Sequence, residues 1–364
     1  MKLQKAFLIK IIAIASLFSC SNSNETEVEV APPAVVDTFI RAADISYLPE
    51  LEASGKVLYN ANNQPENMLT TLKNSGCNTV RIRLWNNPSN GRSGLAEVKT
   101  LAQKAKQAGF KVWLTVHYSD TWADPGAQET PAEWKSLSFT ALKTAVTTYT
   151  TTVMNEIKPD IIQIGNEINS GLLWPQGNLI SQETQSLSLL AAASVAVRAA
   201  QPSTKIMIHY AGVSSSDTNW FFNKVKSVDY DYIGLSYYPI WHGKDINNVK
   251  TTIDALGKTF AKKVLIAETA YPFTLTWNDY TNNIVGLESQ LVAGYPATPD
   301  GQKSFVLAIK NLVKASEYGQ GFAYWGGEWV SFKGNQATNG STFENQAFYD
   351  FNNKALPVLQ AFAQ

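Results

Sequence analysis

Cysteine is nearly absent from this chain of 364 residues: there are two, Cys20 and Cys77, and only Cys77 lies within the bulk of the sequence. A disulfide-stapled scaffold is therefore excluded, and stability must come from a large apolar core. Histidine is almost as scarce, with three, and no His or Cys spacing forms a zinc pattern. Charge of one sign is missing as well, because 30 basic residues balance 30 acidic ones. Without a basic run beyond the amino terminus, nucleic acid is not an expected partner. No glycine fingerprint for a dinucleotide follows the first strand-like run, and no internal repeat is visible.

The apolar stretches that do occur are short. The first follows Lys2, Lys5 and Lys10 and reads IIAIASLFSC, ending at Cys20. A basic segment, a short apolar segment and a small-residue site make an export signal rather than a membrane span. Leu17-Phe18-Ser19-Cys20 resembles a bacterial lipobox, so residues 1–19 are expected to be removed and Cys20 lipidated. That places the protein in the cell envelope, at the outer membrane and facing outward, touching the membrane through its lipid alone. Residues 20–36 are polar, carry Pro32-Pro33 and read as a tether. Residues 37–364 then form one domain, expected to act as a monomer. Cys77, in KNSGCNTV, is expected to be a buried, inert thiol.

Aromatic residues are plentiful, including 10 Trp, which suits stacking on sugar rings as well as ordinary core packing. From residue 39 onward, β-branched runs alternate with stretches of helical spacing. The runs are Phe39 to Ser46, Thr79 to Trp85, Lys111 to Tyr118, Asp160 to Glu167, Lys205 to Gly212, Asp231 to Tyr238, Lys263 to Ala270 and Gly321 to Trp325. Helix-ending signals precede several of them, such as Ser75-Gly76, Ala108-Gly109 and Gln201-Pro202. Repeated βα units of this number predict a closed (β/α)8 TIM barrel, with an open doubly wound sheet as the alternative. The segments following the strands are rich in polar and aromatic residues, and those loops form the active-site face of a barrel.

Two of the runs carry a carboxylate at or near their carboxyl end: Glu167 closes DIIQIGNE, and Glu268 sits near the end of KVLIAETA. A strand buried on both faces expels such a group toward the mouth, and two glutamates facing one cleft are the acid and second carboxylate that glycosidic bond cleavage requires.

The chain also resembles glycoside hydrolase family 53, the arabinogalactan endo-β-1,4-galactanases. The stretches that carry the resemblance are Ala43-Asp44-Ile45-Ser46, Arg81 to Pro88 (RIRLWNNP), His117 to Gly126 (HYSDTWADPG), Gly165-Asn166-Glu167-Ile168, Gly234 to Pro239 (GLSYYP) and Glu268 to Pro272 (ETAYP). It implies cleavage of internal β-1,4 bonds of galactan or arabinogalactan with retention, Glu167 being acid/base and Glu268 nucleophile. It also implies that Arg83 and Tyr237 are the cation and hydroxyl beside Glu268 and that Asn166 binds the sugar 2-hydroxyl. Asp44, Trp85, Asn86, His117, Asp120 and His242 are candidates for the remaining sugar hydroxyls, and Trp325 for the aromatic platform; Trp122, Trp174, Trp241 and Trp329 are candidates for outer subsites. His209, inside the fifth run, reads equally as core or contact. A related barrel acting on mannan, xylan or cellulose, and a non-catalytic glycan-binding lipoprotein, are the rival readings.

The resemblance departs at Tyr324-Trp325-Gly326-Gly327-Glu328-Trp329, where the family form is YWEPAW, and the glycines are expected to loosen that turn. No cofactor is expected for the chemistry. A structural calcium, as some bacterial relatives hold after the seventh strand, would draw on Asn278, Asp279, Asn282 and Asn283, with Asp279 and Asn282 foremost, a poor set with one carboxylate in four.

Overall fold

The computed structural model describes residues 38–364, so the export signal, Cys20 and the whole tether lie outside the described residues. Eight parallel strands close on themselves in chain order. They are β1 (Ile40–Asp44), β2 (Thr79–Leu84), β3 (Lys111–Val116), β4 (Ile161–Ile164), β5 (Lys205–Ala211), β6 (Tyr232–Ser236), β7 (Lys263–Thr269) and β8 (Gly319–Tyr324). The last strand meets the first over Ile40 to Ala43 against Gly321 to Tyr324, which makes the sheet a barrel and excludes the open alternative. Helices α1 (Leu48–Ala53), α2 (Met68–Asn74), α3 (Leu95–Gln107), α4 (Phe139–Ile157), α5 (Glu183–Ala200), α6 (Ser215–Val225), α7 (Pro239–His242), α8 (Asn247–Phe260) and α9 (Pro299–Lys314) connect the strands. No helix among the described residues is long and apolar enough to cross a membrane.

Local chemistry sets the boundaries. Side chains of Asn67, Ser138, Ser214 and Thr298 accept backbone N–H groups at the starts of α2, α4, α6 and α9. Gly76 and Gly109 end α2 and α3 with φ of +95° and +80°, a region open to glycine at no steric cost. β8 begins two residues earlier than its apolar run. Its first residue, Gly319, lies so close to Val313 that a Cβ would stand 1.9 Å from the Val313 carbonyl oxygen.

Strand alternation divides the core in two. Inward residues Ile40, Ala42, Trp113, Ile161, Met207, Leu265, Ala267 and Ala323 fill the barrel. Outward residues such as Val80, Val112, Ile162, Ile206 and Ile266 pack against the helices. Cys77 is buried, its Sγ donating to the Arg41 carbonyl oxygen at 3.2 Å, and burial pushes its thiol up to about 12. It is an inert core group.

Candidate active site

The filled lower barrel gives way at the carboxyl ends of the strands to a cleft of about 660 Å³. Its wall includes Arg81, Arg83, His117, Asn166, Glu167 and Glu268. Irregular backbone puts both glutamates there. After β4, Gly165 takes φ +92° and Glu167 φ +47°. A Cβ at position 165 would come within 2.6 Å of Ile168. The kink lets the consecutive residues Asn166 and Glu167 both enter the cleft, which regular alternation forbids. On β7 the inward residues are Leu265 and Ala267, so an even continuation would send Glu268 outward. A register shift opposite Ser236 re-aims it into the cleft, as bulges beside active sites do.

The two carboxylates offer oxygens that lie within 4.8 Å of each other. Oxygens this close suit the ~5–5.5 Å carboxyl separation of retaining glycosidases better than the ~6.5–9.5 Å of inverting ones. Their partners differ. Glu268 Oε1 receives Arg81 Nη2 at 2.6 Å and its Oε2 receives the Tyr238 hydroxyl at 3.0 Å. Glu167 Oε1 receives the Ser236 hydroxyl at 2.5 Å. Burial raises both carboxyls, and the negative charge of Glu268 adds to it at Glu167, which rises to about 8. Arg81 and Tyr238 pull against burial at Glu268, so it ionises first and Glu167 keeps the proton. Among the described residues, Glu167, His209 and Glu268 are the one cluster with metal-ligand types. Both ring nitrogens of His209 are already engaged, by Gln163 and Ser236, so the cluster does not offer a metal its histidine.

The roles expected of Arg83 and Tyr237 beside Glu268 are corrected: Arg81 and Tyr238 hold those places. Arg81 and Arg83 both point inward on β2, but Arg81 is one layer deeper, where it also pairs with Asp44 Oδ2 at 2.8 Å. Arg83 reaches the rim of the barrel. Its Nε and Nη2 bond Ser93 Oγ, and its guanidinium lies 4.5 Å from the Trp85 ring and 4.1 Å from the Trp122 ring. Tyr237 follows the inward Ser236 and so faces outward, stacked on Phe305 of α9 with its hydroxyl donating to the Gly243 carbonyl oxygen. Tyr238, one residue on, turns back in.

Of the other expected sugar contacts, His117, Asn166, His242 and Trp325 line the cleft with Arg83, whereas Asp44, Trp85, Asn86, Asp120 and Tyr237 do not line it. Asp44 lies beneath the cleft, holding Arg81 and Ser46. Asp120 clips loop backbone at Asn87 and Ala132, and Asn86 bonds Glu133. Burial keeps His117 well below the usual range and lowers His242 to about 4, so both are neutral hydrogen-bonding groups. Trp325, Trp329 and Phe343 form one aromatic wall, with ring centres 5.0 Å and 4.6 Å from Trp325. Trp122 and Trp241 also line the cleft; Trp174 does not.

The Gly-Gly turn after β8 is tight where the sequence suggests looseness. Gly326 takes φ +77°, and a Cβ on Gly327 would stand 2.2 Å from the Phe348 ring. Glu328 is thereby folded fully inside, accepting Tyr47 N–H at 3.1 Å, and burial raises its carboxyl to about 8. The calcium expectation fares differently from the barrel. Asp279 is buried with Oδ1 on Thr281 N and Oδ2 on Ser331 Oγ, while Asn282 is exposed. With both oxygens of the single carboxylate turned to protein donors, and Asn282 exposed, the pair is a poor fit to a calcium ion.

Known proteins are similar to this chain over nearly all of the barrel. The description Glycosyl hydrolase family 53 matches residues 40–362. The chain is 33% identical over 373 residues to an arabinogalactan endo-beta-1,4-galactanase of Cellvibrio japonicus (strain Ueda107), covering 97% of this chain and 96% of that one. It is 31% identical over 372 residues to an endo-beta-1,4-galactanase of Bacillus subtilis (strain 168), covering 89% and 85%. The catalytic domain of the Ignisphaera aggregans GH53 protein superposes with a TM-score of 0.84 at 36% identity, over 91% of this chain and 97% of that one. Since the match runs from the first strand of the barrel to its final turn and takes in both cleft glutamates, the chain belongs to glycosyl hydrolase family 53.

Proposed function

We propose that this glycoside hydrolase is an endo-β-1,4-galactanase that cleaves galactan or arabinogalactan with retention of configuration. The observation that carries the mechanism is the unequal pair of buried carboxylates, close enough for one to attack while the other protonates. The substrate class rests on the family and on the names of relatives across most of the chain.

In the first step Glu268, ionised and held by Arg81 and Tyr238, attacks the anomeric carbon. Glu167 gives its proton to the departing glycosidic oxygen, which leaves with the electrons of the broken bond. The product is a glycosyl ester on Glu268. In the second step Glu167, now a carboxylate, takes a proton from water as that water attacks the anomeric carbon and releases Glu268. Neutral His117, His242 and Asn166 serve the sugar hydroxyls, and the Trp325 wall takes a ring face. On this reading Cys20 is a lipid anchor that keeps the enzyme at the cell envelope, where long polysaccharide is met.

Product analysis on linear β-1,4-galactan tests the proposal, with the anomer followed by NMR in the first minutes. Short β-configured galacto-oligosaccharides from the wild type, lost in Glu167→Ala and Glu268→Ala, are expected. Intact galactan beside cleaved mannan or xylan would overturn the substrate, and α-configured first products would overturn retention.

A further inference from the structure

The acid side of the cleft contains a closed circuit of hydrogen bonds whose direction is fixed. The Glu167 backbone N–H lies 3.3 Å from His209 Nδ1. His209 Nε2 lies 3.0 Å from Ser236 Oγ, and Ser236 Oγ lies 2.5 Å from Glu167 Oε1. A backbone N–H can only donate, so Nδ1 must present its lone pair. Gln163 Nε2, at 2.9 Å, donates to the same nitrogen. Asn166 Oδ1 is 3.2 Å from Nδ1, but it is already served by Arg81 Nη2 and Gln163 Nε2. With Nδ1 unprotonated, the neutral imidazole carries its hydrogen on Nε2 and donates to Ser236 Oγ. The hydroxyl, accepting there, turns its own hydrogen to Glu167 Oε1. His209 is fully buried, and burial together with Arg81 keeps it well below the ordinary histidine range, so the direction does not reverse at working pH.

The circuit starts and ends on one residue, which distinguishes the two oxygens of its carboxyl. Oε1 is committed as an acceptor, whereas Oε2 has no protein hydrogen-bond partner among the described residues. We propose that Ser236, oriented by His209, is a positioning residue that fixes Oε2 of Glu167 as the oxygen that carries and delivers the acid proton. The inference rests on the reading of Glu167 as the acid. In the first step the proton moves from Oε2 to the glycosidic oxygen as its bond to the anomeric carbon breaks. In the second, Oε2 takes a proton from the attacking water, and the Ser236 bond to Oε1 persists throughout. Because that bond favours the ionised carboxyl, Ser236 also sets where the acid stops working as pH rises. The other titratable or charged groups facing Glu167 are Glu268 from β7, Arg81 from β2, Asp124 from the loop after β3, and Tyr238 after β6, with His117 and His242 on the same cleft wall.

The test uses pH profiles of kcat/KM for Ser236→Ala, Ser236→Thr and His209→Ala. Each is assayed on galactan, whose leaving group needs the acid, and on a dinitrophenyl β-galactobioside, whose leaving group does not. Ser236→Ala is expected to move the basic limb upward by ~1 pH unit and to lower kcat/KM on galactan by ~10-fold, with the aryl substrate changed less than ~2-fold. Ser236→Thr, which keeps the hydroxyl, restores the limb, and His209→Ala moves it in the same direction by less. An unmoved basic limb in Ser236→Ala, or equal losses on both substrates, overturns the proposal. Should the alanine variant fail to fold, near-isosteric Ser236→Cys, a weaker donor, carries the same expectation at smaller size. Glu167→Gln separates the two readings. If the basic limb on galactan survives in it, the acid assignment itself has failed; if the limb vanishes while aryl kcat/KM persists, the Ser236 result stands alone.

Discussion

Glu167 and Glu268 are the same residue type, stand toward corresponding ends of β4 and β7, and both line the cleft, yet the groups bonded to them bias them toward opposite protonation states. The Glu268 side is built from a cation and a phenol, Arg81 and Tyr238. The Glu167 side is built from a hydroxyl relayed by a neutral imidazole, Ser236 and His209. Burial alone would neutralise both, and only a full positive charge within hydrogen-bond reach keeps one of them ionised. The division of labour between acid and nucleophile therefore resides in their partners.

Removing either carboxylate abolishes the asymmetry, and these are the largest expected effects. Glu268→Ala should lose ~10⁴-fold or more in kcat on galactan, and Glu167→Ala ~10²–10⁴-fold, both measured by reducing-end release. Removing the cation comes next. Arg81→Met leaves Glu268 and Asp44 buried without their counter-charge, so urea unfolding should show a loss of about 3–5 kcal/mol. In the same variant the acid limb of the pH profile should move upward, because Glu268 then takes up a proton more readily. Neutralising the nucleophile sharpens the comparison from the other side. In Glu268→Gln the negative neighbour that helps hold Glu167 at about 8 is gone, so a ¹³C-carboxyl NMR titration should place Glu167 lower. The paired tyrosines give a smaller contrast: Tyr238→Phe should cost ~10-fold in kcat, while Tyr237→Phe costs about 1 kcal/mol of stability with kcat nearly unchanged. Smallest is the metal test. With both oxygens of Asp279 on protein donors, calcium or a chelator should leave Tm unchanged.

Much of the barrel can be read from spacing alone, since a strand buried on both faces announces itself as an apolar run and a glycine or proline marks where each helix stops. Glu167 and Glu268 are legible for the same reason: each is a carboxylate at or near the end of such a run. Period-2 counting places Arg81 and Arg83 on the same face and does not choose between them. Residues 79, 81 and 83 share the inward face, and only depth distinguishes them, which a one-dimensional pattern does not encode. Tyr238 and Tyr237 carry the same limitation with opposite parity, and Ser236, an unremarkable residue by type, offers no signal until His209 and Glu167 are brought to it from other strands. The Gly326-Gly327 pair reads as looseness in sequence because its partner ring, Phe348, lies 21 residues further along the chain.

The sequence by itself determined the βα alternation, for which a barrel is the leading arrangement, and which two carboxylates stand at the mouth, because these depend on local periodicity and on the cost of burying a charge in a strand. Only the tertiary structure decided how those carboxylates differ. Their protonation depends on groups from β2, β5 and β6 converging within about 3 Å, and such distances exist only once the barrel has closed.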